Sequence, residues 1–409
     1  MPDNILPIIV IFAALMIAAA WMIRNIKKDR VKKEIVQQQP CQLPFPQHMD
    51  RPGCPKPDHV SQEAMDAAVK KAYGEWLATF MLADFTPGRA FLRIGVEKRF
   101  MKYQVLATSV GQGYAMLISA LFAGNDLNAQ GRFDRLLTFC DAHPSAGHPH
   151  LMSWQVSPDM TVSKALASFS QGDMLIAYAL LMADRQWGSK GDYNYHAIAL
   201  KIVQALKAEC IHPELFHILS SNEVKADDEA RWMSTRSADV APLFFTAFQH
   251  ISYDDAWNTI GSKMLALLEG AESLPGAFIR VDRDADAEMD EVFDRESAPL
   301  LFHLALAALF AEDASAQNVL TRMAGTLKAA NPDGRFVSAY SLEGTPQSKE
   351  SDLSIQAGMA AAAMCMGDQP WLNLLWDQLC AAKVERNDPA GSTLRLMALI
   401  LLSGNWWQA

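Results

Sequence analysis

The stretch Ala165–Trp187, ALASFSQGDMLIAYALLMADRQW, joins a polar turn to an apolar helix. One stripe at the 3.6-residue helical period is formed by Leu175, Ile176, Ala179, Leu180 and Ala183. Ser170 is the predicted N-cap, and Asp173 suits the positive end of a helix dipole in the first turn. The stretch therefore predicts a capped helix in the core, around which the fold is organised.

The same design occurs upstream in Thr108–Leu121, TSVGQGYAMLISAL, where a polar, glycine-containing turn runs into an apolar helix. From residue 61 onward, apolar helical segments alternate with short turns of Gly, Pro, Asp or Asn. Alternating Val, Ile or Thr patterns, which would indicate strands, are few. The sequence also lacks the strict repeat that is typical of a solenoid. Residues 61–409 are therefore predicted to form one all-α domain.

The composition restricts the classes of function. The chain has 409 residues, of which 50% are hydrophobic and 20% are charged, so a large core is expected. Its net charge of −10 argues against a nucleic-acid partner, because binding to phosphates requires a basic surface. The ten histidines are scattered, and no CxxC or HExxH spacing occurs. We therefore expect neither a metal site nor a cofactor.

The N-terminus carries a predicted membrane anchor. Residues 5–23 are apolar and free of charge, and at about 1.5 Å per residue they nearly span a hydrocarbon core of about 30 Å. Six basic residues between Arg24 and Lys33 follow this segment, and none precedes it. Residues 1–33 are thus interpreted as a single transmembrane helix with a basic flank. By the positive-inside rule, this charge distribution places the main domain in the cytoplasm.

A linker is predicted between the anchor and the helical domain. Residues 34–60 include six prolines and have no helical period. Cys41 and Cys54 flank the proline-rich part and are a candidate disulfide, which would suit an oxidising compartment.

Two motifs together resemble glycoside hydrolase family 8, the bacterial endoglucanases that include periplasmic cellulases of cellulose-synthesis systems. The family's Ser-Glu-Gly-Gln-x-Tyr-Gly-Met motif is similar to Ser109–Met116, SVGQGYAM. Its Ala-Ser/Thr-Asp-Gly/Ala-Asp motif is similar to Phe169–Asp173, FSQGD, whose helix also ends in a tryptophan, Trp187. The resemblance implies an (α/α)₆ barrel with a substrate cleft at one end.

Two positions depart from the family's chemistry. Val110 stands where the resemblance places the general-acid Glu, and Gln171 stands where it places a ring-positioning Asp. A third segment, Phe293–Pro299, resembles Tyr-Asp-Ala-x-Arg-x-Pro and keeps the general-base position as Asp294, although Ser297 replaces the arginine. An inverting glycosidase needs a protonated carboxyl group and a basic carboxylate about 6.5–9.5 Å apart. Two of the three expected carboxylates are therefore lost.

The residues that would bind sugar are partly kept. Sugars bind by stacking on aromatic rings and by hydrogen bonds to carboxylates and amides. The resemblance implies a substrate-binding set formed by Gln112, Tyr114, Trp154, Asp173 and Asp239. Taken one at a time, the aromatic residues of this set also suit core positions, and its aspartates also suit helix caps.

Three functions remain open. The favoured hypothesis is a membrane-anchored, catalytically impaired family-8-like protein that binds β-1,4-glucan, or a partner in exopolysaccharide or cellulose production. The alternatives are an active inverting endo-β-1,4-glucanase that uses Asp294 as base with a recruited acid, and a structural subunit of a polysaccharide synthase complex with a vestigial cleft. All three place the chain at a bacterial inner membrane. The resemblance puts its domain in the periplasm, whereas the charge distribution puts it in the cytoplasm.

Overall fold

The computed structural model describes residues 40–51, 53–84, 86–94, 106–157, 166–270, 273–281 and 291–409. The predicted span at residues 5–23 lies outside this part of the chain. Among the described residues, no helix combines the length and the hydropathy needed to cross a bilayer. Residues from Cys41 to Ala409 form one compact unit.

The prediction of a helical domain is confirmed. Five helices are almost wholly buried: α2 (Ser109–Leu121), α4 (Ser170–Trp187), α9 (Ala298–Phe310), α11 (Leu353–Cys365) and α13 (Pro389–Leu402). A further helix, α7 (Pro242–Ser252), is buried along about half of its residues. The others are α1 (Gln62–Phe80), α3 (Ala129–Asp141), α5 (Tyr195–Glu209), the short α6 (Glu229–Trp232), α8 (Ala256–Glu269), α10 (Ala314–Ala330) and α12 (Gln369–Ala381). A helix that is apolar on nearly every face must be buried on every face, which explains the position of the first group.

Helices α2, α4, α7, α9, α11 and α13 form a closed inner ring. Each contacts the next in chain order, and α13 returns to contact α2. Helices α3, α5, α8, α10 and α12 pack outside this ring against their sequence neighbours, and α1 packs against α13. The resulting double ring of helical hairpins is the arrangement that the resemblance implies.

Glycines set the spacing between the first two inner helices. A Cβ atom on Gly113 of α2 would lie 2.5 Å from Cβ of Leu175 on α4. In return, a Cβ atom on Gly172 of α4 would lie 2.0 Å from Oγ of Ser109 on α2. The two helices therefore approach through reciprocal glycines, one on each helix, and leave no room for a methyl group at either position.

Short antiparallel ladders precede several inner helices. They pair β1 (Met81–Ala83) with β2 (Ala90–Leu92), β3 (Ala107–Thr108) with β4 (Gln155–Val156), β5 (Ser234–Arg236) with β6 (Phe278–Arg280), and β7 (Val292–Asp294) with β8 (Ala339–Ser341). Each strand has only two or three residues, which is too short for an alternating pattern to be recognisable in the sequence.

Two local predictions need correction. The N-cap of α4 is Phe169 and not Ser170, which is the first helical residue and donates its hydroxyl to the Leu219 carbonyl oxygen at 2.5 Å. Cys41 and Cys54 are free thiols. The Cys41 thiol donates to Gln186 Oε1 at 3.2 Å, so its hydrogen bond is to the end of α4.

The proline-rich residues 41–60 pack against the helical domain, and we call them the strap. Phe45 stacks on Phe122 with ring centroids 4.7 Å apart. The backbone N–H of Gln47 donates to Asn405 Oδ1 at 2.8 Å, and the amide of Asn373 donates to Asp58 at 2.7 Å. The segment predicted as a linker is thus extended, and its described part belongs to the same compact unit as the helices.

Candidate functional site

A cavity of about 510 Å³ opens at one end of the inner ring. Five inner helices contribute residues of their first turns to its wall: α2 through Val110, α4 through Gln171, α9 through Pro299, α11 through Ser354 and α13 through Pro389. Helix N-termini carry partial positive charge, so the cavity lies where several helix dipoles converge. We call it the cleft.

The two positions that depart from the family motif both line the cleft. Val110 is the one residue of α2 that is not fully buried, and it presents an apolar side chain to the cavity. Gln171 is 5% exposed, and its amide nitrogen has no hydrogen-bond partner within the described structure. Gln171 therefore brings a buried amide group with unused hydrogen-bonding capacity to the wall of the cleft.

Aromatic side chains complete one wall of the cleft. Trp154 is 41% exposed, although its backbone is fixed by bonds from the N–H of Ser109 to its oxygen and from its own N–H to the oxygen of Ala167. Tyr114 is nearly buried, its hydroxyl has no described partner, and burial raises its pKa. The exposed indole is suited to stacking on a sugar ring.

Gln112 and Asp173 have structural contacts in the core. Gln112 is fully buried, and its side chain accepts from the N–H of Leu92 at 2.8 Å and donates to the Ala90 oxygen at 3.3 Å. Asp173 accepts from the N–H of Met152 at 2.8 Å, and burial raises its pKa well above the usual range. Asp173 borders a separate cavity of about 40 Å³ beside α4. The structure thus uses both side chains to fix the loops around the cleft.

Asp239, which was predicted to bind sugar, is fully buried and is not among the described residues that line the cleft. Neither of its carboxylate oxygens has a partner among the described residues. Burial raises its pKa to about 7, against a smaller opposing effect from Arg236. A carboxyl group in this environment is stable in its protonated form.

This burial predicts a pH-dependent stability. The folded chain keeps a proton on Asp239 that the unfolded chain loses above the ordinary pKa of an aspartate, 3.8, so the free energy of unfolding falls as pH rises from about 4 to about 7. The non-titrating Asp239→Asn variant is expected to gain stability relative to wild type between about pH 5 and about pH 8. Thermal melts of both proteins at the two pH values measure this, and a constant difference between them would contradict it.

Asp294 ends strand β7 and is half-buried. Its Oδ1 accepts from the backbone N–H of Glu296 at 2.8 Å, which fixes the turn into α9. Its role as general base remains a prediction. At the position of the expected arginine, Ser297 is fully buried, and Arg295 lines the cleft in its place.

Sequence reasoning missed an ion pair in the cleft wall. Arg236 Nη2 lies 2.8 Å from Glu296 Oε2, and both residues line the cavity. The guanidinium carbon of Arg236 lies 5.0 Å from the ring centroid of Phe169 and 5.2 Å from that of Phe278. The available signal was their position in the sequence, since Arg236 lies three residues before Asp239 and Glu296 lies two residues after Asp294.

The charged residues of the described lining are two arginines and one glutamate. Among the described lining residues, Glu296 is the one carboxylate, and Arg236 and Arg295 are the two guanidinium groups. Arg295 Nη2 lies 3.1 Å from Asp352 Oδ2, and this aspartate also caps α11. Within the described structure, no cluster of His, Cys, Asp or Glu suits a metal ion.

Comparisons with known proteins agree with this architecture. The family model of the glycosyl hydrolases family 8 matches residues 69–402. A beta-glucanase of Niallia circulans is 29% identical over 89% of this chain and 91% of its own length, and an endoglucanase of Bacillus sp. (strain KSM-330) is 26% identical over 89% and 82%. The apo structure of a beta-1,3-1,4-glucanase from Paenibacillus sp. X4 superposes with a TM-score of 0.82 and 27% identity, covering 90% of this chain and 99% of the other. Since the family match spans most of the sequence, this chain belongs to glycosyl hydrolases family 8.

Proposed function

We propose that the chain binds a β-glucan polysaccharide in the cleft without hydrolysing it. The observation that carries the proposal is that Val110 and Gln171 line the same cavity as Tyr114 and Trp154. The aromatic side chains suited to a sugar are therefore kept together with two positions that lack a carboxyl group. A valine has no proton to donate, and general-acid assistance is typically worth about 10²–10⁴-fold in rate.

A second candidate is an active inverting endo-β-1,4-glucanase. The family match and the glucanase names of the relatives favour it. It requires a recruited acid, with Asp294 as base. Glu296 is the carboxylate in the described lining, but it is held in an ion pair with Arg236 at 2.8 Å. Two other carboxyl groups are candidates for the recruited acid. Asp173 is buried and accepts the backbone N–H of Met152, and Glu97 lies outside the described residues.

A reducing-end assay on carboxymethyl cellulose and mixed-linkage β-glucan separates the two candidates. Oligosaccharide titration by calorimetry runs beside it. The proposal expects measurable binding and no turnover above an Asp294→Asn control. Turnover that disappears in this control would establish an active enzyme and remove the proposal. If neither glycan binding nor turnover is detected, a structural role in a polysaccharide synthase complex would be favoured.

Trp154 provides a direct test of where the glycan binds. Because its backbone bonds do not depend on the indole, Trp154→Ala is expected to keep the fold and to weaken cello-oligosaccharide binding by about tenfold, through loss of the stacking surface. Tyr253→Ala is the matched control, since Tyr253 is a 90% exposed aromatic residue outside the described lining. Calorimetric titration of both variants checks the prediction. Equal affinities would place the glycan elsewhere.

The proposal includes membrane attachment in exopolysaccharide or cellulose production. Its support is the apolar segment at residues 5–23 and the basic flank that follows. The family resemblance favours a periplasmic domain, and the charge distribution favours a cytoplasmic one. Alkaline extraction of membranes tests attachment, and protease access in spheroplasts tests the side.

A further inference from the structure

The charge of the cleft points to the chemical class of its ligand. Its described lining carries two guanidinium groups and one carboxylate. Helix α2 starts at the cleft with the neutral cap Thr108, and α4 starts there with no side-chain cap. Asp173, in the first turn of α4, is held at the Met152 backbone. The positive ends of these two helices therefore face the cleft without an acidic side chain of their own in its lining.

Arg236 is a fixed cation in this wall. Its side chain is only 10% exposed, and its guanidinium carbon lies close to the rings of both Phe169 and Phe278. Its Nε is buried and has no partner in the described structure. A buried guanidinium group needs an anion close by, because the loss of hydration is costly without one. The arginine is therefore preorganised to bind an anion.

Its present partner is replaceable. The Glu296 side chain is 58% exposed, whereas that of Arg236 is 10% exposed. An exposed carboxylate loses little free energy when it returns to water. A ligand carboxylate can therefore take its place on Arg236, and guanidinium groups bind carboxylates with two parallel hydrogen bonds.

The other charged groups near the cleft are less available. Asp352 is 1% exposed, is paired with Arg295, and accepts the N–H of Ile355 as a helix cap. Asp239 is fully buried near Arg236, and burial raises the pKa of its carboxyl group. Asp294 accepts the N–H of Glu296. Arg295 is half exposed and adds a second cation to the lining.

We infer that the cleft binds a β-linked glycan whose sugar rings carry a carboxylate, as uronic acids do, with Arg236 as the anion-binding residue. The inference rests on the proposed function, because it names the class of polysaccharide held by the same cleft. It differs from a neutral β-glucan ligand in one chemical group, the carboxylate at C6.

Two matched ligands test this difference on the full-length chain in detergent. Cellopentaose and the β-1,4-glucuronan pentasaccharide share a backbone and differ in their C6 groups. We expect glucuronan to bind about tenfold more tightly at low salt, and we expect added sodium chloride to reduce this advantage. Equal affinities, or tighter binding of cellopentaose, would overturn the inference and leave the proposed function standing. Binding of neither ligand would overturn both.

Arg236→Met keeps a long side chain beside the rings of Phe169 and Phe278 and removes the charge. It is expected to abolish the preference for glucuronan and to retain cellopentaose binding. Arg185→Met is the matched control, because Arg185 also lies over an aromatic ring, Trp407 at 6.0 Å, but at the opposite end of α4. Loss of the preference in the control, or its persistence in Arg236→Met, would contradict the assignment.

A second variant tests the role of Arg236 even if the Arg236→Met protein does not fold. Glu296→Gln removes the internal competitor for Arg236 and keeps the size of the side chain. Glucuronan affinity is then expected to rise by about threefold to tenfold, with cellopentaose affinity nearly unchanged. An unchanged glucuronan affinity in this folded variant would overturn the role of Arg236, since a merely structural ion pair would not change ligand preference.

Discussion

Hydrolysis of carboxymethyl cellulose is expected to appear when Val110→Glu and Gln171→Asp are combined in one chain. The double variant restores the carboxyl groups at the two positions that line the cleft without them. With an acid at 110 and Asp294 as base, both halves of an inverting mechanism are present. The expected gain over wild type is about 10²-fold or more, the lower end of what a general acid contributes, measured by reducing ends.

The controls for this rescue separate chemistry from binding. Gln171→Asp alone lacks the acid and is expected to remain inactive. Adding Asp294→Asn to the double variant is expected to remove the restored activity, because no base then activates the water. A folded double variant that binds cello-oligosaccharide and still produces no reducing ends would count against this description of the cleft.

Gly172→Ala is expected to lower the stability of the domain strongly. The added Cβ would lie 2.0 Å from Oγ and 2.9 Å from the backbone carbon of Ser109, so helices α2 and α4 must move apart. Overpacking of this kind costs about 3 kcal/mol. At about 2.1 cal/mol/K of unfolding entropy per residue, the midpoint of thermal unfolding is expected to fall by about 4 °C.

Gly325→Ala is the matched control for this prediction. Gly325 is an exposed residue within α10, and an added Cβ there meets nothing within 4 Å. Alanine in a helix interior is favoured over glycine by about 1 kcal/mol, so the midpoint is expected to rise slightly. Calorimetry on both variants measures the contrast. Equal shifts would show that close packing at Gly172 does not limit stability.

The helices were predictable because their information is local. The stripe in Met174–Trp187 and the all-apolar sequence of Ala298–Phe310 specify burial without knowledge of any partner. The closure of the ring could not be predicted from periodicity, because it depends on tertiary contacts between α13 and α2. It was predicted only from the family resemblance. Proline content predicted an extended segment at the strap, but the Phe45–Phe122 stack that attaches it is a tertiary contact.

The candidate site also contains residues that motifs could predict and residues that depend on tertiary contacts. Tyr114, Trp154, Val110 and Gln171 were found because each lies at a fixed place in a family motif, and the structure brings all four to one cavity. The pair of Arg236 and Glu296 spans 60 residues, and no short-range pattern links two such positions. Gln112 and Asp173 were named from the same motifs, yet their polar atoms serve backbone groups of neighbouring loops. A motif identifies a position without showing which way its side chain is used.

The contacts of the strap limit how early in translation the domain can complete its fold. The partners of Gln47 and Asp58 are Asn405 and Asn373, which are separated from them by 358 and 315 residues. During synthesis these early residues leave the ribosome long before their partners are translated. Likewise, α2 cannot form its ring-closing contact until α13 has been translated. The inner helices consequently expose apolar faces to the cell until translation is nearly finished. Ribosome stalling late in the message would thus yield a chain with most of its helices and no closed ring, a substrate for chaperones and proteases.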